Sequence, residues 1–213
     1  MSEREDLGFV HRYVPAPSGA SAHGGASLLL LHGTGGDEND LLQLGRTLFP
    51  GAALLSPRGK VDEGGALRFF RRIREGVFDQ QDLAVRTDEL AEFIAAASDA
   101  YGIRRDRMVA VGFSNGANIA GSLLLRRPGV ITRAVLLSPM VPFEPDPVPD
   151  LSSTSVFIGA GRLDQMVPAA QTERLAELLR TAGAQVTLHW EDGGHAIGDG
   201  EIRAAQRWLA GLR

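Results

Sequence analysis

The sequence has 213 residues, enough for one α/β domain with a sizeable core, and its 44% hydrophobic and 23% charged residues are typical of a globular protein. Its formal net charge of −4 gives no reason to expect nucleic acid or an anionic membrane as a partner. The absence of cysteine excludes disulfides, thiolate metal sites and a cysteine nucleophile.

Signals for membranes, export and metals are missing from the sequence. The longest apolar run, "ASLLLL" at 26–31, is much shorter than the ~20 residues of a membrane span. The N-terminal "MSEREDLGFV" is charged and lacks the apolar core of a signal peptide. The five histidines do not cluster in a metal-binding pattern. We therefore expect a cytoplasmic protein with no membrane insertion, no metal and no cofactor.

Short β-like apolar runs alternate with longer helix-like segments along the chain. Strands are predicted at Phe9–Val14, Ser27–Leu31, Ala52–Ser56, Met108–Phe113, Ala134–Ser138, Ser155–Gly159 and Val186–Trp190. Helices are predicted over 37–48, 82–100, 115–127, 168–182 and 199–212. Because the strand runs are continuously apolar, helices should cover both faces of the sheet. The pattern predicts an α/β fold, in which residues 1–213 form a single three-layer domain around a mostly parallel sheet.

Two longer stretches show no clear periodicity. Residues 138–150, "SPMVPFEPDPVPD", hold five of the eleven prolines and are predicted to form an ordered surface loop, here called the proline-rich segment. Residues 57–81 form a second excursion, in which Phe69, Phe70 and Phe78 favour an ordered structure. Loops of this length in a compact domain are usually functional or disordered.

The stretch "VAVGFSNGANIAG" at 109–121 places one serine between two glycines, after a predicted strand and before a predicted helix. Gly112, Ser114 and Gly116 match the G-x-S-x-G pattern of a nucleophile elbow. Side chains two positions before and after the serine would collide in so tight a turn, and glycine removes that conflict. Ser114 is therefore predicted to be a nucleophile at the C-terminal edge of the sheet. The alternative is an incidental serine in a strand-to-helix turn.

A serine nucleophile needs a base to accept its proton and a carboxylate to orient that base. Two histidines follow Ser114 in the chain. His189 lies inside the strand pattern "VTLHWED", where a structural role is usual. His195 lies in the glycine-rich stretch "EDGGHAIGDG", between the last predicted strand and the last predicted helix. We therefore predict that His195 is the base.

Asp164 in "GRLDQMVP" is the predicted acid, because it follows a strand and precedes the helix that Pro168 opens. A solvated loop aspartate is the alternative interpretation. The other acidic residues are less suitable because they lie in the proline-rich segment or too close to His195 along the chain: Asp146, Asp150, Glu191 and Asp192. Serine, acid and histidine then occur in an order known for such triads, at the sheet edge where catalytic groups are found.

The remaining requirement is a pair of N–H donors for an oxyanion. The Asn115 amide follows the serine at the start of a helix, where it should point toward a developing oxyanion. The loop "HGTGG" at 32–36 can turn the Thr34 amide toward Ser114, since its glycines allow close backbone approach. A phosphate-binding loop is a weaker interpretation, because neither common glycine signature matches. His32 precedes the serine and is expected to shape the loop.

These motifs resemble the α/β-hydrolase fold and, within it, the phospholipase/carboxylesterase family, which includes acyl-protein thioesterases. The resemblance covers nearly the whole chain and rests on "LHGTGGDEND", "SPRGKV", "RFFRR…GVFD", "VGFSNGAN", "GRLDQMVP" and "GGH" in that order. The second and third motifs look most like the bacterial branch of hydroquinone-resistance-associated carboxylesterases. Thr34 stands where the thioesterase branch commonly has leucine, which argues against a long-chain protein-lipid substrate. No large lid domain is expected.

The resemblance implies a serine carboxylesterase that hydrolyses short- to medium-chain esters through an acyl-enzyme, with a small-molecule ester as its partner. Six apolar side chains in the bordering loops are predicted to line the pocket: Phe69, Phe70, Phe78, Met140, Phe143 and Met166. The arginines at 68, 71, 72 and 74 could bind a substrate carboxylate, although most should form a solvated face. The alternatives are a thioesterase or lysophospholipase, and a non-catalytic ligand-binding protein. A homodimer is compatible with the resemblance.

Overall fold

The computed structural model describes residues 7–17 and 25–212. The strands are β1 (His11–Val14), β2 (Ser27–Leu31), β3 (Ala53–Pro57), β4 (Val61–Glu63), β5 (Ala66–Arg68), β6 (Arg72–Arg74), β7 (Val77–Phe78), β8 (Met108–Phe113), β9 (Arg133–Leu137), β10 (Ser155–Gly161) and β11 (Gln185–Glu191). The α-helices are α1 (Leu42–Leu48), α2 (Gln80–Tyr101), α3 (Asn115–Arg126), α4 (Ala169–Thr181) and α5 (Asp199–Gly211).

Seven strands form one sheet in the order β1-β3-β2-β8-β9-β10-β11. Only β1 is antiparallel to its neighbour, and every other pair in this sheet is parallel. The predicted α/β fold with a mostly parallel sheet is confirmed, and each predicted strand is present with bounds shifted by at most two residues. The C-terminal ends of β8, β10 and β11 therefore meet at one edge.

Helices cover both faces of the sheet. Leu28 and Leu30 of β2 belong to one apolar cluster, whereas Leu29 and Leu31 belong to a second cluster. Successive side chains of a strand point to opposite faces of the sheet. Because alternate residues of β2 belong to different clusters, each face of the sheet has its own apolar core. The three-layer prediction is confirmed, and the described residues include no separate lid domain.

The helices largely follow the apolar periodicity of the sequence. In α2 the predicted stripe of Leu90, Phe93, Ile94 and Ala97 is fully buried. The Asp79 carboxylate caps this helix by accepting the N–H of Asp82 at 3.0 Å. None of the helices in the described part of the chain is long and apolar enough to cross a membrane.

Two stretches differ from the sequence expectation. The first predicted helix, 37–48, begins only at Leu42, because the Asp37 carboxylate accepts the N–H of Asn39 at 2.7 Å and holds the preceding residues in turns. The excursion at 57–81 is ordered, as expected, but contains two small hairpins, β4–β5 and β6–β7. Strands of two or three residues are too short to leave a periodicity signal.

Candidate active site

Ser114 lies in a strained turn between the end of β8 and the start of α3. Its φ is 51° and its ψ is −114°, a backbone conformation that residues other than glycine rarely adopt. A Cβ on Gly112 would overlap the backbone of Gly116, and a Cβ on Gly116 would overlap the carbonyl oxygen of Leu31. Glycine is therefore required on both sides of the serine, for the steric reason that the motif suggests.

A hydrogen-bonded chain joins Ser114, His195 and Asp164. The Ser114 Oγ lies 2.9 Å from the His195 Nε2, and the His195 Nδ1 lies 2.7 Å from the Asp164 Oδ2. A carboxylate accepts a hydrogen bond from the Nδ1–H group, which leaves Nε2 unprotonated and able to accept the proton of the serine hydroxyl. The structure thus brings together the three residues that the sequence nominates, in the geometry that a serine nucleophile and its base require.

The loop after β10 holds the Asp164 carboxylate in place. Its Oδ1 accepts the N–H groups of Met166 and Val167 at 2.8 and 2.9 Å, and its side chain is only 2% exposed. The N–H of Leu163 donates to the carbonyl of Gly193 at 2.9 Å and so joins this loop to the one that carries His195. Both carboxylate oxygens of Asp164 therefore have hydrogen-bond partners within the protein, without any contribution from substrate.

The competing candidates from the sequence lie elsewhere. The His189 ring is part of β11, stacks on Phe157 at 6.1 Å between centroids and lies 3.4 Å from Glu191, which is a structural environment. His32 is buried, which lowers its pKa. Its Nδ1 donates to the Gly33 carbonyl at 2.7 Å and its Nε2 accepts the N–H of Gly59 at 2.9 Å. It shapes the loop, as the sequence suggests.

Thr34 and Asn115 border the same cleft as Ser114 and His195. Asn115 is the first residue of α3, so its N–H has no acceptor within the helix. The Thr34 loop is closed by a hydrogen bond from the N–H of Gly36 to the carbonyl of Gly33 at 3.1 Å. Both residues are suitably located to offer N–H groups beside the serine.

Three consecutive residues at the end of β5 connect the two oxyanion candidates. The Leu67 carbonyl accepts the N–H of Gly35 at 2.9 Å, and the Arg68 Nη1 donates to the Thr34 Oγ1 at 2.6 Å. The N–H of Phe69 donates to the Asn115 Oδ1 at 2.7 Å. The 57–81 segment therefore supports both donors. Sequence reasoning missed this role because the partners are far apart along the chain.

The cleft beside Ser114 is small, with a cavity volume of about 50 Å³. It is lined by Thr34, Arg68, Arg72, Glu75, Gly76, Phe78, Ser114, Asn115, Asn118, Met140, Met166, Val167 and His195. Asn118 was not foreseen, although its position one helical turn after Ser114 places it on the same end of α3. Of the apolar pocket candidates, Phe78, Met140 and Met166 line the cleft.

The placement of the other three pocket candidates requires a correction. Phe69 and Phe70 are almost fully buried in the core, where Phe69 packs against the His32 ring at 4.7 Å and Phe70 against Phe78 at 5.0 Å. Phe143 lines a different cavity of about 170 Å³. Aromatic residues in a long loop can pin it to the core as readily as border a site, and sequence position does not distinguish the two roles.

The family model described as Phospholipase/Carboxylesterase matches residues 18–212. The chain belongs to this family. The hydrolase MhqD of Bacillus subtilis (strain 168) is 49% identical over 181 residues, which cover 85% of this chain and 90% of the relative. The resemblance drawn from the sequence motifs is thereby confirmed.

Solved structures of family members agree with this assignment. The carboxylesterase of Bacillus cereus is 44% identical, with a TM-score of 0.90 over 95% of this chain and 93% of that one. The carboxylesterase of Mesorhizobium loti is 34% identical, with a TM-score of 0.88 over 97% of each chain. As a member of the phospholipase/carboxylesterase family, the protein is an enzyme of the esterase class.

Proposed function

We propose that the protein is a serine carboxylesterase that hydrolyses short- to medium-chain carboxylic esters through an acyl-enzyme intermediate. The observation that carries the proposal is the continuous hydrogen-bonded chain from Asp164 through His195 to Ser114, at 2.7 and 2.9 Å, on the border of an open cleft. Ser114, His195 and Asp164 then act as nucleophile, base and orienting acid.

In the first half of the reaction the Ser114 Oγ attacks the ester carbonyl carbon while the His195 Nε2 takes the hydroxyl proton. Asp164 holds the imidazole in the tautomer that leaves Nε2 unprotonated and stabilises the imidazolium that forms. The C–O bond to the alcohol then breaks, and the alcohol leaves with the proton from His195. The acyl group remains bonded to Ser114.

In the second half, water attacks the acyl carbonyl, His195 accepts a proton from that water, and the carboxylic acid is released as the Ser114 Oγ is reprotonated. The N–H groups of Thr34 and Asn115 stabilise the oxyanion in both halves. Each such donor contributes about 3 kcal/mol to the lowering of the barrier.

The size and lining of the cleft support a short acyl group. The cavity volume of about 50 Å³ favours a short acyl group, and the apolar side chains of Phe78, Met140 and Met166 provide a limited surface for it. As for partners and location, we expect a small-molecule ester, no nucleic acid and a cytoplasmic protein. The resemblance also allows a homodimer, and sedimentation would measure the oligomeric state of the protein.

The proposal is tested with p-nitrophenyl esters from acetate to palmitate, comparing the wild type with Ser114→Ala. We expect activity to peak at short chains and to fall by about 10⁴-fold or more in the variant, because the nucleophile is lost. A peak at long chains would instead indicate a lysophospholipase or thioesterase. Turnover that does not depend on Ser114 would overturn the proposal.

A further inference from the structure

The polar side chains that border the cleft beside the reacting serine are an unusual set. Arg68, Asn115 and Asn118 are only 4%, 2% and 5% exposed, although each is strongly polar. Buried polar groups are normally hydrogen-bonded. A buried polar group without a hydrogen-bond partner destabilises the fold, and its presence therefore needs an explanation. The hydrogen bonds of these three side chains indicate what the cleft binds.

The orientation of both asparagine amides is fixed by the main chain. The Asn115 Oδ1 accepts the N–H of Phe69 at 2.7 Å, and the Asn118 Oδ1 accepts the N–H of Met140 at 2.7 Å. A main-chain N–H can only donate, so each carbonyl oxygen is committed and each amide presents its NH₂ group instead. The Asn115 Nδ2 is buried and has no hydrogen-bond partner. The described residues supply no acceptor for the Asn118 Nδ2 either.

The Arg68 guanidinium is also only partly used. Its Nε donates to the Phe70 carbonyl at 3.2 Å and its Nη1 to the Thr34 Oγ1 at 2.6 Å. Its Nη2 donates to none of the described residues. Because both acceptors are neutral oxygens, these hydrogen bonds position the guanidinium without neutralising its charge.

The charge of Arg68 is incompletely balanced. Glu63 lies 3.5 Å from the Arg68 Nε but also 3.1 Å from the Arg72 Nε, so one carboxylate serves two guanidinium groups. Burial and the charge of Arg72 lower the pKa of Arg68, while Glu63 raises it. Glu63 does not itself line the cleft, and the one carboxylate among the described residues that do, Glu75, belongs to an exposed residue. The buried wall thus has N–H donors and an excess positive charge, which an anion with several acceptor oxygens would satisfy.

We propose that the substrate carries a carboxylate in addition to the scissile ester, and that Arg68, together with the amide of Asn118, binds this carboxylate, while the enclosed amide of Asn115 adds a partial positive charge behind them. The inference rests on the proposed esterase function. Arg68 contacts Thr34, one of the two oxyanion candidates, at 2.6 Å, which is close to the position of the scissile carbonyl. The proposal places the carboxylate in the acyl part of the substrate. The small cavity volume favours a short acyl group. The substrate class is a half-ester of a short dicarboxylic acid.

The competing explanation is that Arg68 only positions Thr34. A positioning role and a binding role differ in one respect: loss of positioning slows every ester alike, whereas loss of carboxylate binding slows only the anionic ester. The pair of substrates must therefore have the same shape and differ in charge. Monoethyl succinate and ethyl 4-methylpentanoate meet this need, because an isopropyl group replaces the carboxylate.

The experiment measures ethanol release from both esters and compares the ratio of their kcat/KM values between variants. We expect wild type to favour monoethyl succinate and Arg68→Met to lower the ratio by about tenfold to a hundredfold, since a hydrogen-bonded charge pair is lost. Arg68→Lys should retain part of the preference. Arg74→Met is the matched control, because Arg74 is exposed and does not line the cleft. It should leave the ratio unchanged.

Asn118→Asp is a second, nearly isosteric variant. An aspartate can still accept the N–H of Met140, but it replaces the donor NH₂ with a negative oxygen beside the bound carboxylate. We expect it too to lower the ratio by at least about tenfold. An unchanged ratio in both Arg68→Met and Asn118→Asp, or a wild type that favours the neutral ester, would overturn the inference.

Ser114→Ala separates this inference from the proposed function. Serine-dependent hydrolysis of ethyl 4-methylpentanoate with no preference for the anionic ester would overturn the inference alone. If neither ester is hydrolysed, calorimetric binding of monoethyl succinate to Ser114→Ala decides. Binding that disappears in Ser114→Ala/Arg68→Met supports the carboxylate site without the esterase, and absence of binding in both overturns it.

Discussion

Apart from Pro57, the last residue of β3, the 57–81 segment lies outside the seven-stranded sheet, as does the proline-rich segment. Both segments border the candidate active site, yet they are held in place differently. The first is tied through Leu67, Arg68 and Phe69 to the two loops that carry the oxyanion candidates. The second is tied to side chains of α2, α3 and α4, including Gln80, where the 57–81 segment enters α2. Their attachment predicts different roles in catalysis.

After Ser138, whose N–H donates to the carbonyl of Gly159 in β10 at 2.8 Å, the main chain of the proline-rich segment is held by helix side chains. The Asn118 Oδ1 accepts the N–H of Met140, and the Gln171 Oε1 accepts the N–H of Val141 at 3.3 Å. The Thr172 Oγ1 donates to the carbonyl of Pro139 at 3.2 Å, and the Gln80 Nε2 donates to that of Pro142 at 2.9 Å.

The difference suggests a division of labour. A shift of the 57–81 segment would move the N–H groups that we propose stabilise the oxyanion, so it should change kcat. A shift of the proline-rich segment would move Met140 on the cleft wall and loosen helix contacts, so it should change stability and substrate binding more than kcat. Two substitutions test this contrast, and a third, outside both segments, tests stability without a change in kcat.

The largest effect is expected for Gly59→Ala. A Cβ at this position would overlap the carbonyl oxygen of Arg68 and lie 2.7 Å from the nitrogen of Phe69. The alanine must displace both residues and with them the contacts to Thr34 and Asn115. We expect kcat for a neutral ester to fall by about a hundredfold or more, measured alongside Tm.

Gly211→Ala is the control for this prediction, because nothing lies within 4 Å of the added Cβ at the end of α5. It should leave kcat unaltered. A folded Gly59→Ala protein with wild-type kcat would show that the 57–81 segment does not support the oxyanion donors.

A smaller effect, on the free energy of unfolding, is expected for Glu201, which lies in α5 outside both segments. Burial raises the pKa of its carboxyl from 4.5 to about 7, and its Oε1 has no hydrogen-bond partner. Between these pH values the folded state keeps a proton that the unfolded state has lost. The free energy of unfolding therefore decreases as pH rises from about 4.5 to 7, by about 3 kcal/mol at most from this group.

Glu201→Gln should remove that decrease, which urea unfolding at a series of pH values would measure. Glu173→Gln, which alters an exposed carboxyl on α4, should retain the wild-type pH dependence. Since Glu201 does not line the cleft, kcat should not follow the change in stability. If Glu201→Gln kept the full pH dependence, the raised pKa would be wrong.

The smallest effect is expected for Thr172→Val in the attachment of the proline-rich segment. The substitution keeps the shape of a buried side chain but removes its hydrogen bond to Pro139. We expect a loss of about 1 kcal/mol in the free energy of unfolding, with kcat changed by less than about twofold. Thr47→Val, at an exposed position on α1 with a local hydrogen bond to Gln43, should cost less. A large fall in kcat for Thr172→Val would contradict the contrast between the segments.

Much of the fold follows from local sequence patterns. Continuous apolar runs predicted the strands of the large sheet, and periodic ones such as Leu90 to Ala97 predicted the helices. The nucleophile elbow was predictable because only glycine fits two positions before and after Ser114. The two other members of the candidate triad each follow a strand. Such signals are encoded within a few residues and need no knowledge of distant neighbours.

Tertiary structure alone decided which loop residues face the cleft. Phe69 and Phe70 pack in the core, whereas the adjacent Arg68, which is also buried, borders the cleft. The local sequence does not predict which of the three residues borders the cleft. Their placement depends on hydrogen bonds to Thr34 and Asn115, which lie more than thirty residues away along the chain. The sequence thus determined the sheet, the helices and the order of the candidate catalytic residues. The polar wall beside them arises only when distant segments pack, because long-range contacts leave no local pattern.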